Sequence, residues 1–189
     1  MGDKAIKKLY TIWFPDSFLN YNQKIDLINL CCLSKTLNWR LIYKASIDGF
    51  AASDFHSKCD GHEGTLTIIK TTNSFIFGGY TEAAWSNSGG YKNDDKAFIF
   101  SLVNREGPLK IPCSKNRCAI YCHISCGPSF GDGCDIFTEN YSNNFPNSYT
   151  NLGDSYKHPI YEYNSIETKC FLAGSVDFRN NDIEVYSKQ

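Results

Sequence analysis

The chain has almost no excess charge of either sign. Its 19 lysines and arginines against 20 aspartates and glutamates leave −1 at pH 7, with a pI of about 6.4. No block of like charge could track a phosphate backbone, which argues against nucleic-acid binding by counterion release. The cluster Lys4, Lys7 and Lys8 is too short for that or for a polybasic membrane patch. Long apolar runs are also missing. The longest, Ile25 to Leu33, is interrupted by Asp26 and Asn29 and falls far short of a bilayer span. Residues 1–20 lack the apolar stretch of a secretory signal. The start Met1-Gly2 carries Ile6 where a myristoylation motif needs Ser or Thr. These absences predict a cytoplasmic chain with no membrane insertion, and they discount the sequon Asn140-Tyr141-Ser142, which matters only on a secreted chain.

Familiar chemical signatures are lacking too. There is no Cys-x-x-Cys pair and no Gly-x-Ser-x-Gly elbow. The runs "FGGY" at 77–80 and "NSGGY" at 87–91 have no lysine and no following helix, so neither is a phosphate loop; they suit a strand passing close to another backbone. "GDGCDIFTE" offers Asp132, Asp135 and Glu139, but not in the order of an EF-hand, and a solvated turn is the expected reading.

What is present points to strands. The chain has 189 residues, enough for one domain with an appended segment, and holds 12 Tyr and 13 Phe. From Thr65 onward, short segments such as "TLTIIKT", "SFIFGGYT", "KAFIFSLVN", "CAIYCHISC", "CDIFTEN", "KCFLAGSVDF" and "DIEVYSK" are separated by turn residues, with no strand–helix alternation. That pattern predicts antiparallel sheets in a sandwich. Residues 139–157, rich in Asn, Ser and Tyr, read as a long polar loop. Residues 1–36 stand apart: Ile25, Leu27, Ile28, Leu30, Cys31 and Leu33 recur near helical spacing, with Asn22 or Asp16 as cap. "AASDFHSKC" reads as a short helix with Phe55 and Cys59 inward. The expected division is therefore 1–36, a helical segment, and 37–189, the sandwich.

Nine cysteines without a signal peptide read as free thiols. Cys113, Cys118, Cys122, His123 and Cys126 look like a zinc cluster until strand geometry is applied. On a strand, Cys118, Cys122 and Cys126 share a face but stand about 13 Å apart in succession, too far for one tetrahedral ion. They are expected to be core, beside Ile120 and Ile124, and no metal or cofactor is expected. A nucleophilic cysteine with His56, His123 or His158 has no support from spacing. The candidate reactive thiols are Cys59, in a charged turn with Lys58 and His62, and Cys113, near Lys115 and Arg117.

The order of motifs resembles the TLDc domain family. The resemblance runs over about residues 37–187, through "WRLIYKASIDGFAASDFHSKCDGHEGTLTIIKTTNSFIFGGYTEAAWS", "DKAFIFSLVN", "AIYCHISCGPSFGDGCDIFTEN", "SYTNLG", "FLAGSVDF" and "DIEVY". It implies a mostly β (α+β) fold, a two-sheet antiparallel β-sandwich flanked by short helices. Its signature positions, read as structural, are Asp48, Gly49, Phe77, Gly78, Gly79, Gly127, Gly131, Gly133 and Gly174. Cys134 stands where many relatives carry His, so no metal site is carried over. The resemblance further implies a non-enzymatic interaction domain tied to oxidative-stress protection and to the vacuolar-type proton ATPase as a protein partner. The alternative is a thiol-based peroxide scavenger. Loops cluster at the ends of a sandwich, and His56, Glu82, Trp85 and Asp135 are the candidate partner-binding residues there. The competing reading makes Trp85 core and Glu82 a turn cap. The chain is expected to act as a monomer.

Overall fold

The computed structural model describes residues 13–34, 38–114 and 118–189. The first helix, α1 (Tyr21–Cys31), starts where Asn20 accepts the Gln23 amide and the Gln23 side chain accepts the Asn20 amide, both at 3.0 Å. This reciprocal pair satisfies two donors that the helix start would orphan. The cap is thus Asn20, and not Asn22 or Asp16, because only Asn20 precedes a residue three places on that can bond back. The helix stops at Cys32, which adopts a left-handed conformation with φ +54°.

The chain then runs through β1 (Trp39–Lys44) and two short helices, α2 (Ala45–Asp48) and α3 (Ala52–Cys59), separated by Gly49 to Ala51. Then follow β2 (Thr65–Thr71), β3 (Ile76–Thr81), β4 (Gly90–Lys92), β5 (Phe98–Val103), β6 (Leu109–Pro112), β7 (Ile120–Cys122), β8 (Ser129–Phe130), β9 (Ile136–Phe137) and β10 (Ser148–Thr150). The helix α4 (Ile166–Cys170), then β11 (Asp177–Phe178) and β12 (Asn180–Lys188), complete the fold. Sheet one has the order β1-β12-β2-β3-β5-β6 and sheet two β11-β10-β9-β8-β7-β4, every pair antiparallel. The expected two-sheet sandwich with short helices is what forms.

Between the sheets lies one apolar cluster that includes Ile69, Phe77, Trp85, Ile99, Ile120, Phe130, Ile136, Leu172 and Val185. The "FGGY" run serves this contact. A Cβ on Gly79 would stand 2.6 Å from the Phe130 ring of the opposite sheet, so only glycine lets the layers close. A second cluster lies on the far side of sheet one, where Trp13, Phe14, Leu19, Leu27, Ile28 and Cys31 cover Leu66, Ile68, Phe100 and Tyr186. Sheet one is therefore buried on both faces, which explains why β2 reads as a continuous apolar-and-threonine run and not as a clean alternation.

Several elements differ from expectation. "CAIYCHISC" makes a strand only over Ile120–Cys122, and the chain turns at 123–126, leaving Ile124 exposed and not in the core. "KCFLAGSVDF" is the end of α4 and a turn, with two strand residues. The polar stretch 139–157 holds β10, a strand of three residues that its Asn- and Ser-rich surroundings disguised.

The N-terminal segment is locked by a buried carboxylate. Glu184 of β12 is fully buried and accepts from Ser17 Oγ at 2.6 Å, the Phe18 amide at 2.7 Å and Lys44 Nζ at 2.8 Å. Lys44 Nζ also donates to the Asp16 carbonyl at 2.7 Å. Removing one partner from such a set leaves the others buried without an acceptor. Glu184→Ala is expected to cost roughly 3–5 kcal/mol in denaturant unfolding; a loss below about 1 kcal/mol, the scale of an exposed pair, would contradict the role given to it.

Candidate functional site: an open tyrosine face over a buried carboxylate

Sheet two has one covered and one open face. Ile120, Phe130 and Ile136 point inward to the core. Alternation then sends their neighbours outward. Tyr91 pairs with Tyr121, Tyr121 with Ser129, Phe137 with Tyr149, and Tyr149 with Asp177. Tyr91 and Tyr121 have ring centroids 5.0 Å apart, and Phe137 and Tyr149 stack at 5.1 Å. His123 extends the row beyond Tyr121, its ring parallel within 5° at 5.9 Å. Tyr91 is 44% exposed, and Tyr121, Phe137 and Tyr149 are half-buried. Among the described residues, none buries this row in the way that residues 13–31 cover sheet one.

The loop between β8 and β9 is the support. Asp135 is wholly buried, and its carboxylate accepts four amides: Gly153 at 2.8 Å and Asp154 at 3.2 Å on Oδ1, Ser155 at 3.0 Å and Tyr156 at 3.3 Å on Oδ2. Burial pushes this carboxyl up to about 7, against the pull of the four amides. Gly131 turns beneath it with φ +88°, and a Cβ there would lie 2.0 Å from Asp135 Oδ2. The turn brings the Gly133 amide to the Tyr91 hydroxyl at 3.4 Å, and that hydroxyl donates to Asp132. Cys134, at φ +62°, sets its thiol beside the Tyr149 hydroxyl. Burial pushes that thiol up to about 12. Gly127 has no positive φ. Its requirement is space, because a Cβ would meet Thr138 at 2.9 Å.

The four expected partner-binding residues do not form a surface. Trp85 is 1% exposed, packed against Phe55 and Phe130, with its indole N–H on Thr65 Oγ1 at 2.9 Å. It belongs to the core because an aromatic ring with its one polar atom satisfied is better placed out of water. Asp135 is structural for the reason just given. His56 is buried: Nε2 donates to the His123 carbonyl at 2.9 Å and Nδ1 lies 2.8 Å from Asp60 Oδ1. Glu82 is partly exposed but committed to Lys188 Nζ at 2.6 Å and to the Tyr80 hydroxyl. His56 and Trp85 share Phe55 as neighbour.

The signature positions are internal supports. Asp48 accepts the Lys44 amide at 2.8 Å and pairs with Lys58 at 2.9 Å, Gly49 gives way to Asp54, Gly78 to the Thr67 carbonyl and Gly174 to the Phe75 ring, and Phe77 packs on Phe178 at 5.5 Å.

The two candidate thiols differ in burial. Cys59 is fully buried, and burial pushes its thiol far up, away from the thiolate that nucleophilic chemistry needs. Of the two readings of Cys59, the inward position on its helix holds, and the charged turn beside it does not expose the thiol. Cys113 is half-buried next to the Tyr156 hydroxyl, and the Lys115 and Arg117 that drew attention to it lie outside the described residues. Among the described residues no group of three or more His, Cys, Asp or Glu could hold a metal ion.

The match to a family model for the TLDc domain spans residues 15–189. The chain belongs to the TLDc domain family. The TLDc match takes in α1 as well as the sandwich. Similar proteins include the MTOR-associated protein MEAK7 of Mus musculus, 23% identical over 87 residues covering 43% of this chain and 19% of that protein. MEAK7 of Danio rerio is 25% identical over 64 residues, 34% of this chain and 14% of that protein. The TBC1 domain family member 24 of Xenopus tropicalis is 34% identical over 106 residues, 52% of this chain and 16% of that protein. The chain thus aligns with less than a fifth of the length of each of these relatives.

Two expectations follow from this geometry. Asp135→Asn leaves one oxygen for four amides and is expected to destabilise by roughly 2–4 kcal/mol in denaturant unfolding; an unchanged midpoint would contradict it. His158 Nδ1 accepts the Ile160 and Tyr161 amides at 3.2 and 3.1 Å, and burial holds the ring below its usual value. Its contribution to stability is therefore complete above about pH 6.5, the unfolded value, and is lost as pH falls through the lower folded value. A histidine NMR titration should give a midpoint for His158 under 6.5, with the two amides losing protection together; a midpoint above 6.5 would reverse the sign.

Proposed function

We propose that this chain is a non-enzymatic protein-interaction module. The observation that carries the reading is the contrast between its polar groups and its open face. Asp135 and Cys59, which resemble catalytic groups, are sealed into the fold, whereas the row of tyrosines on sheet two is half-buried to exposed. Tyrosine is suited to such a surface, since it offers a large rigid face and one polar tip. In this reading 1–36 and 37–189 are the two parts of the chain: the described residues 13–34 of the first cover sheet one, and the second is the binding sandwich, in a single copy of the chain.

Family membership and the relatives' names supply the direction. MEAK7 is named for association with MTOR, a protein partner. The TLDc resemblance adds the vacuolar-type proton ATPase as partner and tolerance of oxidative stress as consequence, in the cytoplasm. The peroxide-scavenging alternative is weakened by the sealing of Cys59, because an oxidant cannot reach a buried neutral thiol at a useful rate.

The test is capture on the isolated chain, first from cell lysate and then with purified proton-pump subunits. Specific retention above a control chain with a scrambled surface is expected. If neither preparation yields a retained protein, while peroxide is consumed in a manner that Cys59→Ser and Cys113→Ser abolish, the thiol reading replaces this one.

A further inference from the structure

From the tyrosine row and its carboxylates we infer that the outer face of sheet two binds an extended, arginine-bearing peptide segment. This rests on the interaction-module reading and names the chemistry of the partner. Three observations support it. The row is aromatic at Tyr91, Tyr121, Phe137 and Tyr149, on four of the six strands, and Ser129 leaves a small-residue gap between the two pairs. Strands lie about 4.8 Å apart, so the gap separates two platforms by roughly two strand spacings. A chain crossing the sheet can set a side chain on each.

The charge on this face is negative where it matters. Asp132 sits on the Tyr91 hydroxyl at one side of the row, and Asp177 is paired in register with Tyr149 at the other. Asp132 is a carboxylate at the edge of a ring, and Asp177 stands beside Tyr149 on the neighbouring strand. A guanidinium is the group that satisfies both features at once: it stacks flat on an aromatic face and forks onto a carboxylate. A lysine ammonium can meet the charge but has no plane to stack. An acidic peptide or a nucleic-acid strand would place like charge against Asp132 and Asp177.

The face is also prepared in advance. The Gly133 amide and the Asp132 carboxylate fix the Tyr91 hydroxyl, and Cys134 lies against that of Tyr149, so the rings are held before a ligand arrives. Little side-chain freedom remains to be lost on binding.

The experiment titrates the wild-type chain, labelled for amide NMR, with the peptide (Arg-Pro)4, and with (Lys-Pro)4, (Glu-Pro)4 and a single-stranded oligonucleotide as comparators. Proline keeps these probes extended. Saturable shifts are expected at the amides of Tyr91, Tyr121, Asp132 and Tyr149 with the arginine peptide, weaker ones with lysine, and none with the other two. Tyr91→Ala, at an exposed edge position, should weaken arginine-peptide binding about fivefold, and Asp132→Asn by a similar factor, each with an unchanged unfolding midpoint. Shifts elsewhere on the chain, equal binding of the glutamate peptide, or preference for the oligonucleotide would overturn the inference. So would an unaltered affinity in Tyr91→Ala. If a captured protein partner binds Tyr91→Ala and wild type equally, the module reading stands and this face is not its site.

Discussion

A single carboxylate without charge partner or solvent, Asp135, decides the shape of one whole side of the molecule. Its two oxygens hold four consecutive amides of the segment 153–156 against the turn between β8 and β9. Those two strands are only two residues each, too short to fix their own register. The carboxylate does it for them. Because the segment 153–156 follows β10, and the turn carries Asp132, Gly133 and Cys134, the same set of bonds aligns Tyr91 and Tyr149 on the outer face. The cost is a buried charge, and the four donors are what offset it.

Glu184 plays the matching part on the other sheet. It gathers Ser17, Phe18 and Lys44 around one buried carboxylate, and so fastens the N-terminal segment to the outer face of sheet one. The consequence is asymmetry among the described residues: residues 13–31 cover sheet one, whereas the tyrosine row of sheet two stays half-buried to exposed.

How much of this the sequence displayed depends on the range of the interaction. β2, β3, β5 and β12 are long enough to show their pattern, and the motifs around "FGGY" and "DIEVY" carried the family and the fold. Sheet two was much less visible. Its strands are two or three residues long, so neither their limits nor their facing could be read, and the tyrosine row emerges only from their pairing. Trp85, His56 and Asp135 drew attention as polar or aromatic residues toward the ends of the sandwich, and all three are buried by contacts with residues distant in sequence, such as Thr65, His123 and Ser155. Cys59 was placed in a charged turn by its neighbours, but its own direction is set by α3. Such outcomes are three-dimensional, and local composition does not encode them. The loop "GPSFGDGCD" shows both sides: its glycines announced a turn, while the reason for Gly131, a carboxylate pressed against its α-carbon, could not be seen until the chain was folded.

The central claim is that Asp135 holds up the exposed tyrosine face and is not itself a working group. Hydrogen–deuterium exchange of wild type and Asp135→Asn tests it most directly. If the claim is right, the amides of 153–156 are strongly protected in wild type, and in the variant they lose protection together with those of Tyr91 and Tyr149 while α1 is unchanged. Fast exchange of 153–156 in wild type, or loss confined to that segment with the tyrosine strands unaffected, would contradict it.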